Sequence, residues 1–254
     1  MKSTIFIRTY VKDFPWLHYC LRSIRKFCTG FDVVVVVPDD GKQSWLANID
    51  AHVIAYEYVP GKGMMTAMNA ALDADDICPE AEYIFFVDCD CIFTRPVTPE
   101  DYFHEGKIVL PVTSYVELAA LPETKSRAEL WQPAMKAALG YEPTLSTMCR
   151  IPVVHHRSIF AQTRAAIQQH TGKSARDYLL SFPDQFPWKF SEFEALGCTA
   201  LGWSSLYYTV DAEAYDPRRP GTGLYAAKFK NVNCYWSHAG ITQQVRAEME
   251  GILS

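Results

Sequence analysis

Asp88 and Asp90 stand two positions apart at the end of an apolar run, YIFFVDCDCIF, from Tyr83 to Phe93. Such a run reads as a strand buried on both faces, and the strands of an open α/β sheet deliver ligand groups at their carboxyl ends. Two hard oxygen donors at that rim suit Mg²⁺ or Mn²⁺, which keep several waters and take the rest of their shell from one or two carboxylates and substrate phosphates. The guest expected there is a metal-bound diphosphate. The competing structural reading is that both acids cap a turn through their own backbone. It is the weaker one, because carboxylates sandwiched between buried segments are costly to desolvate without a partner.

Positioning the pair requires a sheet, and the first ninety residues spell one. Ser3 to Thr9 is a first strand ending at Arg8, Thr9 and Tyr10, polar groups placed to meet a ligand. Asp13 caps a helix with Pro15 in its first turn, a stripe at Leu17, Leu21, Ile24 and Cys28, and Gly30 as its stop. Asp32 to Val37, with five consecutive valines, is a doubly buried strand running into Pro38, Asp39 and Asp40. A short helical piece is expected around Trp45, then a strand from Ala51 to Tyr58. A Pro/Gly turn carrying Lys62 leads into a helix from Gly63 to Ala74. The order β-α-β-α-β-α-β predicts an α/β fold: Rossmann-like, with a mostly parallel central sheet, helices on both faces and an elaborated C-terminal half.

Beyond it, Thr98, Pro99 and Glu100 open a short helix, and Lys107 to Val112 reads as a fifth strand. Ser126 to Leu139 is helical between Pro-rich flanks and reads as an insertion over the sheet. Cys149 to Val154 is a candidate strand, Ile159 to His170 a helix, and Phe182 to Trp188 an aromatic and proline-rich loop. FSEFEALG, Phe190 to Gly197, begins another helix. Tyr207 to Val210 and Val232 to Trp236 are short strands, and Ile241 to Leu253 is a closing helix. No internal repeat interrupts this order.

The totals narrow the partners. At 254 residues the chain can bury a large core, and it is expected to form one domain, 1–254. A net charge of -5 argues against broad non-specific nucleic-acid binding. With no apolar leader after Met1 and no run of membrane-spanning length, the expected location is the cytoplasm, without a membrane partner. The eight cysteines are scattered and read mostly as small buried hydrophobes.

The arrangement resembles the GT-A class of nucleotide-sugar-dependent glycosyltransferases, whose half-Rossmann sheet presents a D-x-D at the end of a central strand. The resemblance implies that Asp90 binds a divalent ion, Mn²⁺ or Mg²⁺, and that Asp88 faces the ribose or also reaches the metal. It makes Asp39 a candidate for the nucleoside and Arg8, Thr9 and Lys62 candidates for the base and diphosphate, with Tyr10 beside them. In many inverting members the base that deprotonates the acceptor lies at a helix start, which points here to Glu192 and Glu194. Ser191 with Glu194 also fits an S-x-x-E capping box, in which the glutamate folds back onto the backbone. Glu192 is therefore the expected base. A C-terminal histidine commonly completes the metal shell in this class, and His238 in Tyr235-Trp236-Ser237-His238 fills that place. His155 and His156 read as structural.

More narrowly, IFIRTYVKDFPWLHYCLRSI, DCDCIFTRPVTPEDYF and FSEFEALG resemble a group of small phage and bacterial GT-A proteins, some associated with glycosylation of hypermodified DNA bases. This similarity covers most of the chain. It departs after Gly63, where Ala67, Met68 and Ala71 replace Gln and Lys. It implies a donor such as a UDP-sugar bound by residues 1–112, and a hydroxyl acceptor met by residues 113–254. The acceptor is a modified base in phage DNA, a bacterial glycan or a small molecule. Lys125, Arg127, Arg218, Arg219, Lys228 and Lys230 are the candidate phosphate contacts if it is DNA. Three rival classes share some of these features. A haloacid-dehalogenase-type phosphohydrolase carries its D-x-D on the first strand, not the fourth. A nucleotidyltransferase carries a Gly-rich turn where Arg8-Thr9-Tyr10 stand. A carbohydrate-binding module, with Trp131 and Trp188 for stacking, leaves the acids without a purpose.

Overall fold

The computed structural model describes residues 1–41, 46, 49, 51–120, 122, 124–148, 152–211, 231–235 and 240–254. The first strand is β1 (Ser3–Arg8), followed by α1 (Phe14–Phe27), β2 (Asp32–Pro38) and β3 (His52–Tyr56). Then come α2 (Gly63–Leu72), the short α3 (Ala74–Ile77), β4 (Tyr83–Asp88) and β5 (Cys91–Phe93). The chain continues through β6 (Phe103–His104), β7 (Lys107–Ser114), α4 (Tyr115–Ala120), α5 (Lys125–Leu139), β8 (Leu145–Ser146) and β9 (Val153–His156). It ends with α6 (Ser158–Thr171), α7 (Ala175–Leu180), α8 (Glu192–Leu201), β10 (Tyr207–Asp211), β11 (Val232–Cys234) and α9 (Gln243–Leu253).

The central sheet runs β3-β2-β1-β4-β9, with the first four strands parallel and β9 antiparallel to β4. Ile84, Phe85, Phe86 and Val87 of β4 are all buried, as a strand covered on both faces requires. Phe86 meets Phe6 edge-on and packs toward Phe160 of α6 and Phe193 of α8. Phe85, pointing the other way by the pleat, packs edge-on against Phe31 and Tyr102. Helices α6 and α8 thus cover one face, the Phe31 loop and the short 3-10 helix Pro99–Tyr102 lie on the other, and the Rossmann-like α/β expectation holds.

The strand order also fixes where a ligand can sit. From β1 the chain builds outward to β2 and β3, then returns to place β4 on the opposite side of β1. The crevice between the carboxyl ends of β1 and β4 is thus the switch point, where open α/β sheets bind ligands. Arg8 and Asp88 are register partners at that position.

Several elements differ from the sequence expectation. Lys107 to Ser114 is a strand, but it belongs to a second sheet, β10-β7-β6, with β8 paired to β7. The place beside β4 is taken instead by β9. An apolar run encodes a strand without encoding its neighbour. The strand expected from Cys149 begins at Val153, and residues 149–151, like Trp45, lie outside the described residues. The expected helix from Gly63 to Ala74 ends at Leu72, where the Asn69 amide donates to Asp73 (2.7 Å). α4 and α7, six residues each, were too short to carry a periodic signal. Among the described residues, no helix is long and apolar enough to cross a membrane.

Candidate active site

Arg8 is the hub of the crevice. Its guanidinium pairs with the Glu192 carboxylate (Nη1–Oε1 2.5 Å), donates to the Ala67 carbonyl (3.1 Å) and lies 4.9 Å from the centre of the Phe193 ring. β1, α2 and the start of α8 therefore meet on one side chain. Ser191 opens α8 as its N-cap, accepting from the Glu194 amide (3.3 Å), and this fixes the first turn so that Glu192 faces Arg8. Glu192 is 3% exposed, and a carboxylate so deeply placed depends on its cation.

Asp88 lies half-buried at the end of β4. Burial pushes its carboxyl up to about 7; Arg8 works against that rise, while Asp90, Glu192 and Asp13 add to it. Among the described residues, Asp88 thus feels three further carboxylates and one opposing charge, Arg8. That imbalance, with two hard oxygen donors two residues apart, fits a divalent cation. Among the described residues, no group of three or more His, Cys, Asp or Glu side chains is placed to hold an ion by itself. A cation here would take the remainder of its shell from a substrate phosphate and water, the habit of Mg²⁺.

The other expected site residues divide. Thr9 is buried, with its side chain in hydrogen-bonding contact with Cys89, whereas Tyr10 is 39% exposed at the rim. Asp39 is exposed past β2, its amide donating to the Tyr56 carbonyl (2.8 Å). The Lys62 ammonium donates to the Phe182 carbonyl (2.5 Å), and Asp184 from the same loop accepts from the Met64 amide (3.1 Å) at the start of α2. His238, Arg218, Arg219, Lys228 and Lys230 lie outside the described residues. Lys125 pairs with Glu129 (3.3 Å), and Arg127 donates to the Met148 carbonyl (3.2 Å) beside the Trp131 ring. His155 is fully buried and held neutral, its pKa lowered to about 3 by burial.

Glu194 goes elsewhere. It is completely buried and accepts from the Tyr115 hydroxyl, the Ser146 hydroxyl (3.1 Å) and the Thr147 and Met148 amides (3.0 Å each). The capping box is half present: Ser191 receives the Glu194 amide, but the Glu194 carboxylate crosses to residues 146–148 instead of folding back. Burial raises its pKa, and the donors around it pull the other way. It fastens α8 to β8 and α4. Tyr115, Ser146 and Asp184 had no sequence signal as partners, since each acts through a contact distant in the chain.

An open, mostly parallel sheet with a carboxylate pair and an arginine at its switch point defines a Rossmann-like nucleotide-handling transferase. The MobA-like NTP transferase domain matches residues 9–182, and the chain belongs to that family. Comparison with curated proteins gives no match. Membership makes the chain a nucleotidyltransferase-like transferase with a nucleotide-based donor, in a family where divalent metals such as Mg²⁺ are common.

Proposed function

We propose that the chain transfers a sugar from a nucleoside-diphosphate sugar, such as a UDP-sugar, to a hydroxyl acceptor, with inversion. The observation that carries this reading is the Glu192 carboxylate, fixed by Arg8 at the start of α8 next to Asp88. Residues 1–112 bind the donor. Asp90, with Asp88, would hold Mg²⁺ or Mn²⁺, with His238 as a further ligand, and the ion when bound supplies charge stabilisation for the departing diphosphate. Arg8 engages Oε1 of Glu192, which leaves Oε2 to accept the acceptor's proton as its oxygen attacks the anomeric carbon. Asp39, Thr9, Tyr10 and Lys62 line the nucleoside and diphosphate side. Residues 113–254 meet the acceptor, a glycan, a small molecule or a hydroxylated base in phage DNA. Glu194 holds the helix that carries Glu192.

Family membership favours a second reading, nucleotidyl transfer, in which an acceptor phosphate attacks the α-phosphate of a nucleoside triphosphate and pyrophosphate leaves. Against it, the end of β1 and the residues after it carry Arg8, Thr9 and Tyr10 in place of a glycine cradle, and Arg8 is committed to Glu192. A panel of nucleotide sugars and nucleoside triphosphates, with and without Mn²⁺ or Mg²⁺, separates the two by product. Metal-dependent release of a nucleoside diphosphate from one sugar donor, lost in Asp90→Ala, is expected. Pyrophosphate release from a triphosphate with no turnover of any sugar donor would overturn the glycosyl reading.

A further inference from the structure

We propose that Cys91 and Cys234 are a modification site, closing to an intrachain disulfide under oxidising conditions. The two residues are register partners in the antiparallel pair of β5 and β11. The Tyr235 amide donates to the Asp90 carbonyl (3.0 Å) and the Thr94 amide to the Asn231 carbonyl (2.7 Å), which marks 90/235 and 94/231 as hydrogen-bonded pairs. Hydrogen-bonded and non-hydrogen-bonded pairs alternate along an antiparallel ladder, so 91/234 is non-hydrogen-bonded. There the side chains approach most closely, and the Cα separation of about 4.5 Å falls within disulfide range. The two Sγ atoms are already in contact, 3.2 Å apart.

Access divides the labour between the thiols. Cys234 is exposed and Cys91 is fully buried beneath it. A low-molecular-weight disulfide, such as glutathione disulfide, therefore meets Cys234 first. Its thiolate attacks one sulfur of the oxidant, giving a mixed disulfide and releasing one glutathione thiol. The Cys91 sulfur then attacks Cys234 Sγ, and the departing glutathione thiolate takes the proton that Cys91 gives up. Two protein thiols are oxidised to one disulfide, and one glutathione disulfide is reduced to two thiols. The product pins β11 to the strand that leaves Asp90. The inference is independent of which transfer the site catalyses.

The test treats the reduced full chain with glutathione disulfide, quenches in acid, alkylates under denaturing conditions and maps peptides by mass. A linked Cys91–Cys234 peptide is expected, with two fewer alkylated thiols than the reduced chain and a higher urea midpoint. Cys91→Ser should leave Cys234 stopped at the glutathione adduct. Cys234→Ser, a change at an exposed position, should leave Cys91 unoxidised. Wild type that stops at the adduct on Cys234, keeps both thiols alkylatable, or links either cysteine elsewhere would overturn the proposal.

Discussion

Replacing Glu194 by alanine removes the acceptor for six donors at once: the Tyr115, Ser146 and Thr147 hydroxyls, the Cys198 thiol, and the Thr147 and Met148 amides. The hydroxyls can rotate toward other acceptors, but backbone amides cannot. Each orphaned amide costs about 1–3 kcal/mol, so the two together cost about 2–6 kcal/mol. Against a total stability of about 5–15 kcal/mol, such a loss is large. Glu194→Gln should be milder, below about 2 kcal/mol. Its carbonyl can keep facing Thr147 and Met148, while its amide donates to Tyr115, whose hydroxyl turns to accept. Urea unfolding near neutral pH, followed by circular dichroism, gives both values. If both variants unfold with the wild type but lose donor turnover, Glu194 acts in the chemistry and its structural assignment is wrong.

Three further outcomes follow from the same contacts. His155 has a folded pKa of about 3 against an ordinary 6.5, so the unfolded chain takes up its proton first as pH falls. Its contribution is full above about 6.5 and is lost toward 3, amounting to about 2 kcal/mol by pH 5. His155→Phe should therefore gain on the wild type by that amount between neutral pH and about 5 in urea titrations; a difference that stays constant with pH would refute the buried neutral imidazole. Gly197→Ala sets helix propensity, worth up to about 1 kcal/mol, against a Cβ that would fall 1.9 Å from Thr147 Oγ1. Overpacking costs about 1–3 kcal/mol, so the melting temperature should drop, and a rise would mean that α8 and Thr147 are not in contact. Arg8→Ala leaves the Glu192 carboxylate buried and unpaired, at a cost of about 3–5 kcal/mol, whereas Glu192→Gln, whose carbonyl can still accept from Arg8, should cost less; equal losses in chemical denaturation would refute the pair.

The central strands were legible because each is an uninterrupted apolar run: five valines in β2, and Ile84 to Val87 in β4. α1 was legible through its stripe and Pro15. Partnership was not legible. β7 reads as a strand from any viewpoint, but nothing in KIVLPVTS says that it pairs with β10 rather than β4. Asp88 and Asp90 announced themselves by position after a buried run, and the Ser191 cap directed attention to Glu192 over Glu194. The Arg8 contact with Glu192 and the Glu194 contact with residues 146–148 join segments far apart in the chain. β8, only two residues long, offers no periodicity from which the second could be read.

The ion pair described at the crevice has a consequence for how the molecule is held together. It fastens the first strand of the central sheet to the opening turn of α8, two segments far apart in the chain, beside the Asp88 carboxylate. Because Arg8 also donates to the Ala67 carbonyl, α2 is tied into the same clasp. A substitution at Arg8 or Glu192 therefore alters the charge of the crevice and the seating of α8 together, so charge and position are separated only by exchanging both side chains.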